Sequence, residues 1–234
     1  MDQTIDIGRW KSMALDLAPP RIHPFVKGCY WTLFSKKSDG SRLDGLPKKL
    51  SDSHVCDAEL LIDRNKLLDR LPKNATVAEL GVDTGGFSKR IYSITNPEKL
   101  YLVDPWGSER YGEEKLNSVI KSFSEEVEKE EVIILRERSE TALKQFDDQF
   151  FDWVYIDTTH TYNQTKLELE LSEKKVKDSG IIAGHDYKIG NVDKGRRYGV
   201  IEAVHEFCEK YNWKILYLTL ETGGSRSFAL TKIK

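Results

Sequence analysis

The sequence has few cysteines and no long apolar segment. Cys29, Cys56 and Cys208 lie far apart and form no C-x-x-C pair, which argues against a disulfide framework and against a cysteine zinc site. The first ten residues carry charged side chains around no apolar core, so neither a secretory signal nor a membrane span is expected there. We therefore expect a cytoplasmic protein with reduced thiols and no membrane partner.

An excess of charge of one sign is also lacking. The chain has 36 Lys and Arg residues against 38 Asp and Glu residues, for a formal net charge of -2. Such a balance gives no global field that would recruit a nucleic acid. We expect no nucleic-acid partner, and the oligomeric state stays open between a monomer and a homodimer.

Short apolar runs alternate with amphipathic stretches from about residue 76 onward. This alternation is typical of parallel strands joined by helical crossovers. The last two apolar runs are separated only by a short Thr-Gly-Gly loop, which is too short for a parallel crossover and predicts an antiparallel pair. The expected fold is α/β, a Rossmann-like seven-stranded sheet with helices on both faces and an antiparallel last strand. The predicted strands are 76–82, 99–106, 132–139, 151–158, 179–187, 213–220 and 225–233.

The first 55 residues show no such periodicity. They contain several prolines and a loop at 36–49 that is rich in Lys, Ser, Asp, Gly and Pro, a composition typical of turns. We predict that residues 1–55 form an appendage or substrate lid on a main domain of residues 56–234. A helix is predicted over 57–71 from the spacing of its leucines.

Glycines occur where the first predicted strand passes into a helix, in the segment Glu-Leu-Gly-x-x-x-Gly that runs from Glu79 to Gly85. Glycine permits a sharp turn and the close approach of a ligand to the backbone. The next strand ends in Asp104, about 20 residues after Gly81, where an acidic residue can bind ribose hydroxyls. The middle glycine of a dinucleotide site is missing, and Glu79 and Asp83 favour a cationic ligand such as S-adenosylmethionine. The loop alone fits an ordinary strand-to-helix turn equally well.

Polar side chains also end the fourth and fifth predicted strands. Asp157 ends one strand, with His160 three residues further on, and His185 and Asp186 end the next. One helical crossover brings such strand ends to the same edge of a parallel sheet. Two carboxylates and an imidazole suit Mg²⁺ or Mn²⁺. His160 is either a general base or a structural histidine at the start of the next helix, and the sequence does not choose between these roles.

These segments resemble the motifs of class I S-adenosylmethionine-dependent methyltransferases over about residues 57–234. Glu-Leu-Gly-x-x-x-Gly is similar to their motif I, and Leu-Val-Asp, which ends at Asp104, is similar to the acidic end of motif II. The pair Ile-Asp-x-x-His-x-Tyr and Gly-His-Asp-Tyr resembles the macrocin and antibiotic-sugar O-methyltransferases. The strand-end spacing also resembles catechol O-methyltransferase, which has an acidic residue in place of His185 and a lysine at the position of His160.

The resemblance implies methyl transfer from S-adenosylmethionine to a hydroxyl of a small-molecule acceptor such as a sugar or a phenol. It implies a divalent metal, Mg or Mn, that holds the acceptor oxygen at Asp157, His185 and Asp186. His160 or Asp157 would accept the proton. The residues that it implies for the cofactor are Glu79, Gly81, Asp83, Gly85, Asp104, Ser139, Glu140 and Asp157.

Two other functions remain open at this point. An NAD-linked oxidoreductase is disfavoured by the missing middle glycine. A non-catalytic protein that binds S-adenosylmethionine would carry the same loop and would show no acceptor turnover.

Overall fold

The computed structural model describes residues 49–108, 111–191 and 196–234. Most of the predicted appendage, residues 1–48, lies outside the described residues. A 3-10 helix at Asp52–His54 comes first. The strands are β1 Glu59–Leu61, β2 Thr76–Leu80, β3 Lys99–Val103, β4 Val132–Leu135, β5 Phe151–Ile156, β6 Val176–Gly184, β7 Gly190–Asn191, β8 Arg196–Arg197, β9 Trp213–Thr219 and β10 Phe228–Lys232. The α-helices are α1 Arg64–Arg70, α2 Gly86–Thr95, α3 Glu113–Ser122, α4 Ser124–Glu128, α5 Ser139–Leu143, α6 Tyr162–Lys175 and α7 Val200–Tyr211.

Eight strands form the main sheet, in the order β1-β9-β10-β6-β5-β2-β3-β4. Strands β2 to β6 pair in parallel, and β10 runs antiparallel to both β6 and β9. The Rossmann-like α/β fold and the reversed last strand are thereby confirmed. The sheet has one strand more than predicted because β1 adds in parallel to β9, and β7 and β8 form a separate antiparallel pair.

The extra strand β1 lies within residues 57–71, over which a helix was predicted. The first part of that prediction was wrong. Leu60, which fitted the helical spacing, is 60% exposed, whereas Leu61 is buried beside β9. The Asp63 side chain accepts a hydrogen bond from the Lys66 backbone N–H at 2.8 Å and caps α1. Helix α1 therefore begins only after the cap, because Asp63 satisfies an N–H that lacks an intrahelical partner.

Alternate residues of the central strands pack into two hydrophobic clusters. Val77 belongs to one cluster, with side chains of α1, α2 and α3, and its neighbour Ala78 belongs to the other, with side chains of α5, α6 and α7. Successive side chains of a strand point to opposite faces, so helices cover both faces of the sheet, as predicted. Within the described ranges, no helix is long and apolar enough to cross a membrane.

Two side chains of the predicted appendage pack on this domain. Leu50 is 8% exposed and belongs to one of the hydrophobic clusters. The His54 ring is hydrogen-bonded through Nδ1 to the carbonyl of Trp213 at 2.6 Å. The packed part of the domain therefore includes residues on the N-terminal side of the predicted boundary at 55.

Candidate active site

A cavity of about 880 Å³ opens beyond the carboxyl ends of β2, β3, β4 and β5. Of the residues predicted from the sequence, Glu79, Gly81, Asp83, Asp104, Ser139, Glu140, Asp157 and His160 line it. Gly85 instead lies over the core, where an added Cβ would come within 3.3 Å of Val119. Its left-handed backbone (φ 78) forms the N-cap of α2, so its role is to turn the chain.

The turn after β2 holds three strand ends together. Gly81 donates its N–H to the carbonyl of Val103 at 2.9 Å, and Asp157 donates to that of Leu80 at 2.8 Å. The backbone of Gly81 has φ 90, and a Cβ there would collide with the carbonyl of Asp157. Glycine is therefore required by both the conformation and the space.

Asp104 accepts hydrogen bonds from the loop backbone. Its Oδ2 accepts from the N–H groups of Val82 (3.0 Å) and Asp83 (3.1 Å), and its Oδ1 accepts from that of Trp106 (2.9 Å). A carboxylate has about four acceptor positions, so Asp104 keeps acceptor capacity toward the cavity that it lines. Trp106 is itself buried and donates its indole N–H to the Asp83 carbonyl at 2.9 Å, which makes it a packing residue.

A polar network surrounds the end of β4. Ser139 is the first residue of α5 rather than the end of a strand, and its hydroxyl donates to the buried carboxyl of Glu168. Glu168 also accepts from Gln164 at 2.9 Å and Thr158 at 2.8 Å, and burial raises its pKa. The Gln164 amide also bonds Glu140 at 3.3 Å.

The sequence did not single out Gln164 and Glu168, although both line the cavity. They lie four residues apart and therefore share one face of α6. That spacing was the only available signal, and the same spacing is common on solvated helix faces.

The floor of the cavity is acidic. Glu79 is buried, and burial raises its pKa to about 8, partly opposed by the Ser88 hydroxyl that donates to it. Burial also raises the pKa of Asp157 to about 7, helped by the negative charge of Asp186 and opposed by Arg64. A cation that entered the cavity would favour the ionised form of both groups.

Three side chains form a group that could hold a metal ion. One ligand atom from each of Asp157, His160 and Asp186 lies within 4.8 Å of the other two. His160 Nε2 is 3.1 Å from Asp186 Oδ2, and Lys188 Nζ is 3.1 Å from the other Asp186 oxygen. Burial lowers the pKa of His160, although Asp186 acts in the opposite direction. The lowered pKa favours the neutral imidazole, the form that a base or a metal ligand requires.

His185, the third predicted ligand, lies outside this group of three. Its Nδ1 is 3.0 Å from the hydroxyl of Ser227, which in turn is 3.0 Å from that of Tyr155. Burial lowers the pKa of His185 to about 4. His160 and Asp186 both have left-handed backbone, with φ 61 and 55, and the strand-end pattern did not reveal these local turns. The geometry thus groups His160, rather than His185, with the two carboxylates.

Tyr198 packs on the His160 side chain. The two rings have centroids 4.8 Å apart, and the next residue, Gly199, donates its N–H to the His160 carbonyl at 2.9 Å. The Lys188 ammonium lies 5.5 Å from the centre of the Tyr198 ring. The segment after β8 therefore fixes the position of His160.

Arg64 also lines the cavity and was not identified from the sequence. Its guanidinium lies over the ring of Phe87, 4.4 Å from the centroid. Its backbone N–H donates to the Glu221 carboxylate at 2.8 Å. The sequence placed this residue inside a longer helix, so its position at the N-terminus of α1, facing the cavity, could not be foreseen.

Residues 78–187, which include the glycine loop, Asp104 and the Asp157 and Asp186 carboxylates, match a family described as a methyltransferase domain. The pyocyanin biosynthetic protein PhzM has a similar fold, with 11% identity and a TM-score of 0.55 over 72% of this chain and 54% of that one. The chain thus spans about half the length of PhzM.

Two shorter proteins are also similar. A SAM-dependent methyltransferase from Aquifex aeolicus has 17% identity and a TM-score of 0.54, with 74% of this chain and 91% of that one covered. An rRNA methylase from Streptococcus thermophilus has 12% identity and a TM-score of 0.53, with 73% and 95% covered. At these identities the likeness shows the fold alone. A search of curated protein sequences finds no match. The family match over residues 78–187 includes the glycine loop and favours a methyltransferase domain over the NAD-linked alternative.

Proposed function

We propose that the protein transfers the methyl group of S-adenosylmethionine to a hydroxyl oxygen of a small-molecule acceptor, with the help of a divalent cation. The observation that carries this proposal is the group formed by Asp157, His160 and Asp186 at the edge of the cofactor cavity. Such a group can both bind an acceptor oxygen and remove its proton.

The cavity suits S-adenosylmethionine on three counts. Asp104 retains acceptor capacity for ribose hydroxyls. The acidic groups Glu79 and Asp157 favour the positive charges of the sulfonium and the amino group. A Cβ at Gly86 would meet no atom within 4 Å, so the N-terminus of α2 faces open space. The cofactor would be held by Glu79, Gly81, Asp83, Asp104, Ser139, Glu140 and Asp157.

The donor set suits Mg²⁺ or Mn²⁺. Asp157 and Asp186 would supply hard oxygen ligands, and His160, as the base, would keep its nitrogen lone pair free of the ion. Two carboxylates this close repel one another unless a proton or a cation lies between them, in agreement with the raised pKa of Asp157. When bound, the ion would hold the acceptor oxygen and stabilise its negative charge.

His160 is the group that accepts the acceptor's proton. Its neutral imidazole is oriented by Asp186 at 3.1 Å and by the ring of Tyr198. A base fixed in this way contributes mainly through alignment, because the oxygen must approach the methyl group in line with the departing sulfur. Asp157 lies on the same edge and is the alternative base if no ion binds.

A small molecule is favoured over RNA as the acceptor because the chain has no excess of positive charge, with a net charge of -2. The acceptor's identity is tested with a labelled methyl donor and a panel of phenols, sugars and ribosomal RNA. Transfer only to RNA would overturn the small-molecule assignment. If the protein binds S-adenosylmethionine but methylates no compound of this panel, the non-catalytic alternative is favoured.

The role of the cation is tested by chelation. We expect that a chelator abolishes transfer, that Mg²⁺ or Mn²⁺ restores it, and that cofactor affinity hardly changes. Asp157→Asn should be inactive at any metal concentration. Asp148→Asn is the matched control, since this carboxylate is exposed and pairs with Lys175 at 2.8 Å. Full activity of the original protein in chelator would show that Asp157 works as a base without metal.

A further inference from the structure

We propose that Arg64 binds the carboxylate of the methionyl part of S-adenosylmethionine and so sets which adenosyl sulfonium compound the cavity accepts. The inference rests on the proposed cofactor, and it assigns a binding role to a residue outside the family match at 78–187.

Two contacts position Arg64 at the cavity wall. Its guanidinium lies on the face of Phe87, 4.4 Å from the ring centroid, and stacking of this kind restricts a planar group to one orientation. At the other end of the residue, the backbone N–H is bound by Glu221. Little side-chain freedom would be lost when a ligand binds, which favours affinity.

The guanidinium lacks a counter-ion among the described residues. Four other described arginines have a carboxylate at ion-pair distance, such as Arg70 with Glu59 at 2.6 Å and Arg136 with Glu113 at 2.5 Å. The remaining three, Arg90, Arg196 and Arg226, are exposed to solvent. For Arg64, no described carboxylate lies within 4.0 Å of the guanidinium nitrogens. A half-buried cation without a partner is unfavourable, and a planar guanidinium matches the geometry of a carboxylate.

The charges around Arg64 match a zwitterion. Arg64 lies close enough to Glu79 and Asp157 to favour their ionised forms. A ribose at Asp104 and a methyl group directed at His160 leave the amino-acid part of the cofactor in the space between these carboxylates and Arg64. Its ammonium would face the acids, and its carboxylate would face the arginine.

Arg90 provides a matched control. It is a second arginine that lines the cavity, but it lies exposed on α2. Unlike Arg64, it is not among the groups that most strongly shift the pKa of Glu79 or Asp157. If any cavity arginine sufficed to attract the carboxylate, Arg90 would serve as well as Arg64.

The test compares S-adenosylmethionine with its decarboxylated form, which differs only by the carboxylate, in calorimetric titrations. The unaltered protein should prefer S-adenosylmethionine by about 10- to 100-fold, the range for a hydrogen bond between charged groups. Arg64→Ala should lose this preference by weakening only the binding of S-adenosylmethionine. Arg64→Lys should keep part of the preference, and Arg90→Ala should keep all of it.

The outcomes separate the inference from the proposed function. If the unaltered protein binds neither compound, the cofactor assignment itself fails. The inference is overturned if the unaltered protein binds S-adenosylmethionine but Arg64→Ala lowers the affinity for both compounds equally, or for neither. If Arg90→Ala loses the preference instead, Arg90 is the residue that binds the carboxylate. Arg64→Gln, which keeps most of the side-chain length, replaces the alanine variant if thermal unfolding shows that the latter does not fold.

Discussion

At the scale of single residues, Glu79 shows how burial sets the charge of the cavity. Its carboxyl lies in the central strand β2, and burial moves its pKa from the ordinary 4.5 to about 8. At neutral pH the ligand-free protein therefore carries a proton there. A bound sulfonium would favour loss of that proton, so cofactor binding and proton release are linked.

Glu79→Gln should remove a pH dependence of stability. Between pH 4.5 and about 8 the folded protein holds this proton and the unfolded chain does not, so the free energy of unfolding falls as the pH rises. One such proton contributes a slope of at most about 1.4 kcal/mol per pH unit. Denaturant titrations across this range should show a shallower decline for Glu79→Gln than for the exposed control Glu113→Gln. Equal slopes would mean that Glu79 is ionised in the folded protein.

His160→Ala should reduce transfer by about 10²- to 10⁴-fold, the range for loss of a general base. Cofactor affinity should change little, because the imidazole faces Asp186 rather than the ribose end of the cavity. Added imidazole should restore part of the rate. Failure of imidazole together with loss of metal binding would identify His160 as a ligand of the ion and leave Asp157 as the base.

The sequence predicted part of the site because carboxyl ends of parallel strands meet at one edge. That rule indicated Asp104, Asp157 and Asp186. It could not show that His160, rather than His185, lies beside the two carboxylates, because that position depends on the left-handed backbone of His160 and Asp186. It also missed Arg64, because the approach of α1 to the cavity depends on tertiary packing.

At the scale of elements, the β2–α2 turn is the most constrained connection of the cavity. The sequence predicted it from its glycines, but it extended β2 by two residues and β3 by three, since a run of apolar residues does not show where pairing stops. Strand β1 was missed for a related reason. Its three residues, Glu59–Leu61, are held by pairing with β9, far away in the chain.

Gly81→Ala and Gly86→Ala should differ sharply although both glycines line the cavity. Alanine at position 81 would need a left-handed backbone and would collide with the Asp157 carbonyl, so a loss of more than about 2 kcal/mol of stability is expected. Alanine at position 86 meets no atom within 4 Å and starts α2, where it is tolerated within about 1 kcal/mol. Thermal unfolding compares them. Similar stabilities would show that the turn can open at Gly81.

At the scale of the whole molecule, the sheet order explains why the cavity lies where it does. The connections from β2 and β5 leave the central strands in different directions, β2 leading to β3 on one side and β5 to β6 on the other. Open α/β sheets bind ligands in the crevice at such a point. The alternation of strands and helices predicted this arrangement, and the short loop before β10 predicted the reversed strand.

The role of the N-terminal residues is tested by two fragments, 49–234 and 56–234. The first keeps Leu50 and the bond between His54 and Trp213, and it contains every cavity-lining residue that the structure describes. It should therefore fold and bind S-adenosylmethionine. The second loses the buried Leu50, the bond between His54 and Trp213 and the acceptors of the Cys56 and Ala58 backbone N–H groups, and its stability should be lower by about 2–4 kcal/mol.

Methyl transfer by fragment 49–234 then decides the role of residues 1–48. Their composition predicts a segment that governs the acceptor, so the fragment should bind cofactor with unchanged affinity and transfer methyl groups poorly. Calorimetry and a labelled-methyl assay measure the two quantities on the same preparation. Normal transfer by the fragment would rule out a substrate lid, whereas loss of cofactor binding in a folded fragment would place part of the cofactor site before residue 49.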